Sequence, residues 1–303
     1  MTGCFGAALV RRCDCWVLSA GWPDYGFRFR QASRVPGQDD GYWAGEGVGT
    51  NASLIVYADA DPRQVLRSSP AMDRPAAQGL VRRLFPEHAI EETGDADVMD
   101  VLSPDLGRAY AGSYPGLAIV CHSGLGRDRP SGLPQHILGA RPCRCVYLIA
   151  MISFFDCAAV AAWHDGQPRR SLSVTFNGQL ADPPVTGEIV ENIGDPLPFE
   201  QSLWARHSPH GVHRIPFHPL GLGEAALAAI LGLPYARGVP DPVEYGTVPL
   251  AGFRVTALPG SAAEADEREA EAATRRALPA LSLAGRYRLE TAPDGSTRWT
   301  RAD

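Results

Sequence analysis

Asp59 and Asp61 close the run Ser53-Leu-Ile-Val-Tyr-Ala-Asp-Ala-Asp, two residues apart. On an extended backbone, residues i and i+2 project to one side, so both carboxylates face the same space. Such a pair can hold Mg²⁺, or can supply nucleophile and general acid for phosphoryl transfer. The competing role is a strand-end turn, since Asp opens turns and caps helices and Pro62 follows directly. A second cluster is imidazole. His207, His210, His213 and His218 are four of the eight histidines and fall within twelve residues. Neutral imidazoles bind zinc, but Pro209, Gly211 and Pro216 put these on a loop with no His-Glu-x-x-His helix. The metal candidates are Asp59, Asp61, His207 and His218, and an enzyme would work through Asp59, Asp61 and His218.

Cysteine offers less. The seven cysteines are odd in number and irregular in spacing, as in a reduced cytoplasmic protein. Cys143 and Cys145 stand where a strand begins and can share a face, and Cys13 and Cys15 repeat the spacing. A zinc knuckle normally has at least two residues between its thiolates, so two reduced strand cysteines is the simpler reading. Ser123-Gly124-Leu125-Gly126-Arg127 fits neither a dinucleotide fingerprint nor a phosphate loop. No Gly-x-Ser-x-Gly elbow anchors a hydrolase triad. His218 precedes a helix start and Glu224 lies in its first turn, a place for an anion or a partner. The structural alternative has Phe217 packing and Glu224 complementing the helix dipole.

Composition removes whole classes of chemistry. Every basic residue is arginine; the chain contains no lysine. That excludes a lysine Schiff base, a Walker A lysine and a kinase strand lysine within this chain. Abundant Ala, Arg, Gly and Pro point to GC-rich coding as the cause. A net charge of -6 gives no basic field for a phosphate backbone, so nucleic acid is not an expected partner. No apolar run reaches the roughly 18–20 residues that span a bilayer, so no membrane role is expected. No cofactor is predicted.

The elements that position these groups follow from periodicity. Ser53–Tyr57 is a buried strand by its apolar run. Pro62–Arg67 opens a short helix, and Asp73 caps a second in which Leu80, Val81 and Leu84 share a face. Ala109–Ser113 and Leu117–Cys121 flank a Tyr114-Pro115-Gly116 turn. Cys145–Phe154, Cys157–Trp163 and Ser171–Thr175 are three strands, with Asp165-Gly166 turning the second pair. Leu222–Leu231 is an apolar-faced helix stopped by Gly232, and Leu250–Ala257 a last strand. The fold class is α+β: an antiparallel sheet with a central meander over about 145–175, flanked by helices, and a small C-terminal β-hairpin. Residues 1–47 lack a period and are expected to be disordered or a non-native extension, with Val48 as a possible true start. The main domain covers 48–258, a charged helix or linker 259–282, and the hairpin 283–303.

Two resemblances bear on function. The Asp59/Asp61 strand end, with Gly94-Asp95 and Asp100, resembles the motifs of haloacid-dehalogenase-type phosphatases. It departs from them in having Arg63 where Thr or Val is expected, no conserved lysine, and too short a gap for the intervening Rossmann-like domain. More of the chain resembles an actinobacterial domain-of-unknown-function family. The motifs that carry this are Tyr57-Ala58-Asp59, Asp128-Arg129-Pro130-Ser131, Trp163-His164-Asp165-Gly166, Arg170-Ser171-Leu172-Ser173, Pro196-Leu197-Pro198-Phe199-Glu200 and Pro216-Phe217-His218-Pro219-Leu220. That resemblance implies a domain from about Val48 to Ala257 in a cytoplasmic bacterial protein, and no particular activity. The leading expectation is a non-catalytic binding or interaction module with a protein or small-molecule partner. Its binding candidates are Tyr57, Arg129, Phe199, Glu200, Phe217 and Glu224. The alternative is a metal-assisted, phosphatase-like hydrolase centred on Asp59 and Asp61.

Overall fold

In the computed structural model, strand β1 (Asn51–Ala58) is the spine of the molecule. The model describes residues 51–153, 156–175, 188–206, 215, 217–234, 239–244, 246–270 and 272, and the backbone of 287–291 and 297–301. Leu54, Val56 and Ala58 of β1 enter one core cluster, while Ile55 and Tyr57 enter another. A strand covered on both faces needs a continuous apolar run rather than alternation, and the sequence supplies one.

On the far side of an acidic turn come α1 (Pro62–Arg67) and α2 (Arg74–Leu84). Asp73 caps α2 by accepting from Ala76 N, and Ala77, Leu80, Val81 and Leu84 form its buried face. Strands β2 (His88–Glu92), β3 (Ala96–Asp97), β4 (Arg108–Tyr114) and β5 (Leu117–Cys121) follow. The β4–β5 turn places Gly116 at φ +73°, a left-handed conformation that suits glycine. Helix α3 (Gln135–Leu138) then leads to β6 (Cys145–Ile152), β7 (Cys157–His164), β8 (Gln167–Thr175) and β9 (Glu188–Gly194). Helix α4 (Pro198–Arg206) and helix α5 (Pro219–Ala226) follow, and α5 continues as a wider π turn over Leu227–Leu231. Strand β10 (Pro249–Ala257) completes the sheet.

The sheet order is β2-β10-β4-β5-β1-β6-β7-β8-β9, with β3 also paired to β10 and every described pairing antiparallel. The architecture is therefore mixed α+β around one large antiparallel sheet. Leu66, Leu203, Leu222 and Leu227 pack α1, α4 and α5 on one face. Leu80, Val81 and Leu84 of α2 and Ile137 of α3 pack on the other. Helix α5 comes unusually close to β6 because of Gly223: a Cβ there would lie 2.6 Å from Met151 Sδ. A separate two-stranded pair joins β11 (Tyr287–Thr291) to β12 (Thr297–Arg301).

Candidate functional site

Where β1 ends, the chain must turn, and two carboxylates organise the turn. Asp61 caps α1: its Oδ1 accepts from Arg63 N at 2.9 Å. Asp59 Oδ1 accepts from Arg144 N at 3.0 Å, tying the turn to the entry of β6. Both side chains are exposed. They border a cleft of about 380 Å³ lined also by Cys145, Tyr147 and the apolar floor Ala58, Pro62, Ala229 and Ile230. The floor exists because α5 runs along β6 and brings its last turn over the strand end. Tyr147 and Arg144 add polar groups to the wall. Burial, the neighbouring Cys145 thiol and the charge of Asp61 together push the Tyr147 pKa up to about 12, so its hydroxyl stays a neutral donor at physiological pH.

The remaining sequence candidates scatter. His218 caps α5 through Nδ1, which accepts from Leu220 N, and its Nε2 stands 3.5 Å from Asp156. Asp156 follows Ile152, the β6 residue paired with Asn51 at the start of β1, whereas Cys145 pairs with Ala58 at its end. His218 and Asp59 are thus separated by the length of a strand, about 23 Å at about 3.3 Å per residue. That exceeds any shared metal shell, so Asp59, Asp61 and His218 do not form one centre. Among the described residues no group of three or more His, Cys, Asp or Glu side chains is placed to hold a metal ion. His207, His210 and His213 lie outside the described residues. Cys143 and Cys145 do not share a face: Cys143 packs with the α2 side of the core and Cys145 with the α5 side.

Several expected binding residues are interior. Tyr57 is fully enclosed and donates its hydroxyl to Ile137 O at 2.6 Å. Burial drives its pKa upward, so it is a satisfied core phenol and not a ligand contact. Phe217 is buried against Trp204, ring to ring at 5.1 Å and nearly perpendicular. Phe199 packs partly buried on the same core.

Glu200 is the most decisive case. It is completely buried and receives Arg170 Nε at 2.9 and 3.0 Å and Arg170 Nη2 at 2.6 Å. Arg170 is equally enclosed, and its Nη1 donates to Asn192 Oδ1, Ile193 O and Gly194 O. All three guanidinium nitrogens have acceptors, the condition under which a buried ion pair is tolerated.

On the opposite face, Glu191 accepts from Ser131 N at 3.0 Å, from Ser131 Oγ at 2.7 Å and from Ser171 Oγ. Partial burial raises its pKa, but the hydrogen bonds from Ser171 and Ser131 and the charge of Arg129 outweigh it and leave the carboxyl more acidic than usual. Arg129 itself is exposed. Glu224 is half-buried on α5, and burial pushes its pKa up to about 6. The motifs Asp128–Ser131, Arg170–Ser173 and Pro196–Glu200 thus meet as one polar framework around β8. Their mutual contacts are hidden in the sequence because the partners lie far apart along the chain. The local signal is the density of Ser and Arg on a strand otherwise bound for the core.

Residues 52–253 match the model of a family of unknown function, DUF6928. No curated protein and no solved structure matches the chain.

Proposed function

We propose that this chain, which belongs to the DUF6928 family of unknown function, is a non-catalytic binding module whose ligand enters the cleft at the end of β1. The observation that carries this reading is the lining of that cleft. It has an apolar floor, Ala58, Pro62, Ala229 and Ile230, and a few converging polar groups, Asp59, Asp61, Arg144, Cys145 and Tyr147. Its volume of about 380 Å³ falls within the range of small-molecule sites. The carboxylates each spend one oxygen on a backbone amide, which fixes their orientation before any ligand arrives. A ligand of a few apolar atoms with a hydrogen-bonding end suits this mixture.

The chain is expected to work in a reducing, cytoplasmic setting. Support comes from Cys121, Cys143 and Cys145, which are thiols outside any disulfide. No described helix is long and apolar enough to cross a membrane.

A thermal-shift screen of small metabolites on the full chain tests the reading. The expected result is at least one compound that raises the melting temperature of the wild type and not of Ala229→Trp, which fills the cleft. A screen with no hits would count against binding. Magnesium-dependent phosphatase turnover abolished by Asp59→Asn would replace it with the hydrolase alternative.

A further inference from the structure

The register across four strands aligns Ser53 of β1, Ala150 of β6, Ala159 of β7 and Ser173 of β8 in one row. The segment Gly126–Asp128 straps this row. Gly126 N donates to Ser53 Oγ at 3.1 Å, and Ser173 Oγ donates to the carbonyl of Asp128. The two serines are three interstrand spacings apart, about 14 Å, so the strap reaches only when extended. Arg127 therefore lies over the two alanines.

Arg127 is half-buried, and its Nε is shut off from solvent with no hydrogen-bond partner. It makes no ion pair with any described residue. The nearby Glu191 carboxylate is already held by Ser131 and Ser171. One row further along the same face, Thr175 is 3% exposed and its Oγ1 also lacks a partner. Thr175 is about 7 Å along the strand from Ser173. Around them lie Ala150, Ile152, Cys157 and Ala159, a small apolar cluster with no charge of its own. A guanidinium whose Nε is shut off from water without a partner is costly, and desolvation draws the Arg127 pKa downward.

We propose that Arg127 and Thr175 form the inner wall of an oxyanion site beneath the Gly126–Asp128 strap, taking a phosphate or carboxylate group. This site is at the opposite end of β1 from the cleft and stands or falls independently of it.

Thermal melts of the full chain at constant ionic strength, in phosphate, acetate or chloride, test the proposal. The expected result is a rise of about 5 °C in phosphate or acetate near a hundred times Kd, and none in chloride. A response to phosphate alone marks a tetrahedral ligand, and one to acetate a carboxylate. Arg127→Met is expected to abolish the rise and Thr175→Val to weaken it. Broadening of the phosphorus resonance of inorganic phosphate by the wild type reads the phosphate arm without any variant. Equal responses in wild type and Arg127→Met overturn the proposal. So does the absence of any response to either oxyanion.

Discussion

The turn after β1 and the polar framework around β8 use the same chemical group in opposite ways. At the turn, Asp59 and Asp61 are exposed, and each gives one oxygen to a backbone amide. Around β8, Glu200 is wholly enclosed by Arg170, and Glu191 is surrounded by serine donors. A carboxylate in the first setting is free to meet a ligand and contributes little to stability. One in the second is committed to the fold. The difference separates candidate function from architecture in a chain where both wear the same side chains.

The largest expected effect comes from breaking the enclosed pair. Glu200→Ala leaves the Arg170 guanidinium buried without its counter-charge and is expected to cost about 3–5 kcal/mol in denaturant unfolding. The double variant Arg170→Met with Glu200→Leu should recover most of that loss. If Glu200→Ala costs no more than a surface substitution, the contrast between the two regions collapses.

Smaller effects grade the same contrast. Asp61→Ala removes the cap of α1 and should cost about 1 kcal/mol, while Asp61→Asn keeps an acceptor and should cost less. Glu224 has a folded pKa of about 6, above its unfolded value, so its contribution favours the fold at low pH and is lost as pH rises through about 6. Glu224→Gln should therefore gain about 1 kcal/mol at pH 7, discounted for partial exposure, and nothing at pH 4. Glu191 has the opposite sign. Its folded pKa is depressed, so its contribution is present above the unfolded value and disappears as pH falls through the folded one. Stability curves of Glu191→Gln against wild type should differ above pH 5 and converge in stronger acid. Asp59→Asn is expected to be the mildest, within about 0.5 kcal/mol, because the amide oxygen can still accept from Arg144 N.

Local chemistry was legible and distant chemistry was not. The apolar run of β1, the Asp73 cap, the Leu80/Val81/Leu84 face and the Gly232 stop all show in the sequence, and each rests on neighbours within a few residues. The mixed α+β class with a large antiparallel sheet followed from those pieces. The cleft was half legible: Asp59 and Asp61 marked its rim, but its floor comes from Ala229 and Ile230, whose approach depends on α5 packing along β6. Glu200 reads as a binding candidate in the sequence because its partner Arg170 lies thirty residues earlier. Tyr57 looked like a binding phenol because nothing near it reveals Ile137 O, eighty residues on.

The place of β10 has a consequence for how the chain is made. It sits between β2 and β4, and β2 has no other strand partner among the described residues. During synthesis, residues 88–92 must wait for residues 249–257, while β4, β5, β1 and β6 through β9 can assemble as they emerge. A nascent or truncated chain that stops before Pro249 would carry the open hydrogen-bonding edge of β4, a template for pairing with another copy. The docking of β10, and not the closing of the β1 spine, is then the step that covers the β4 edge.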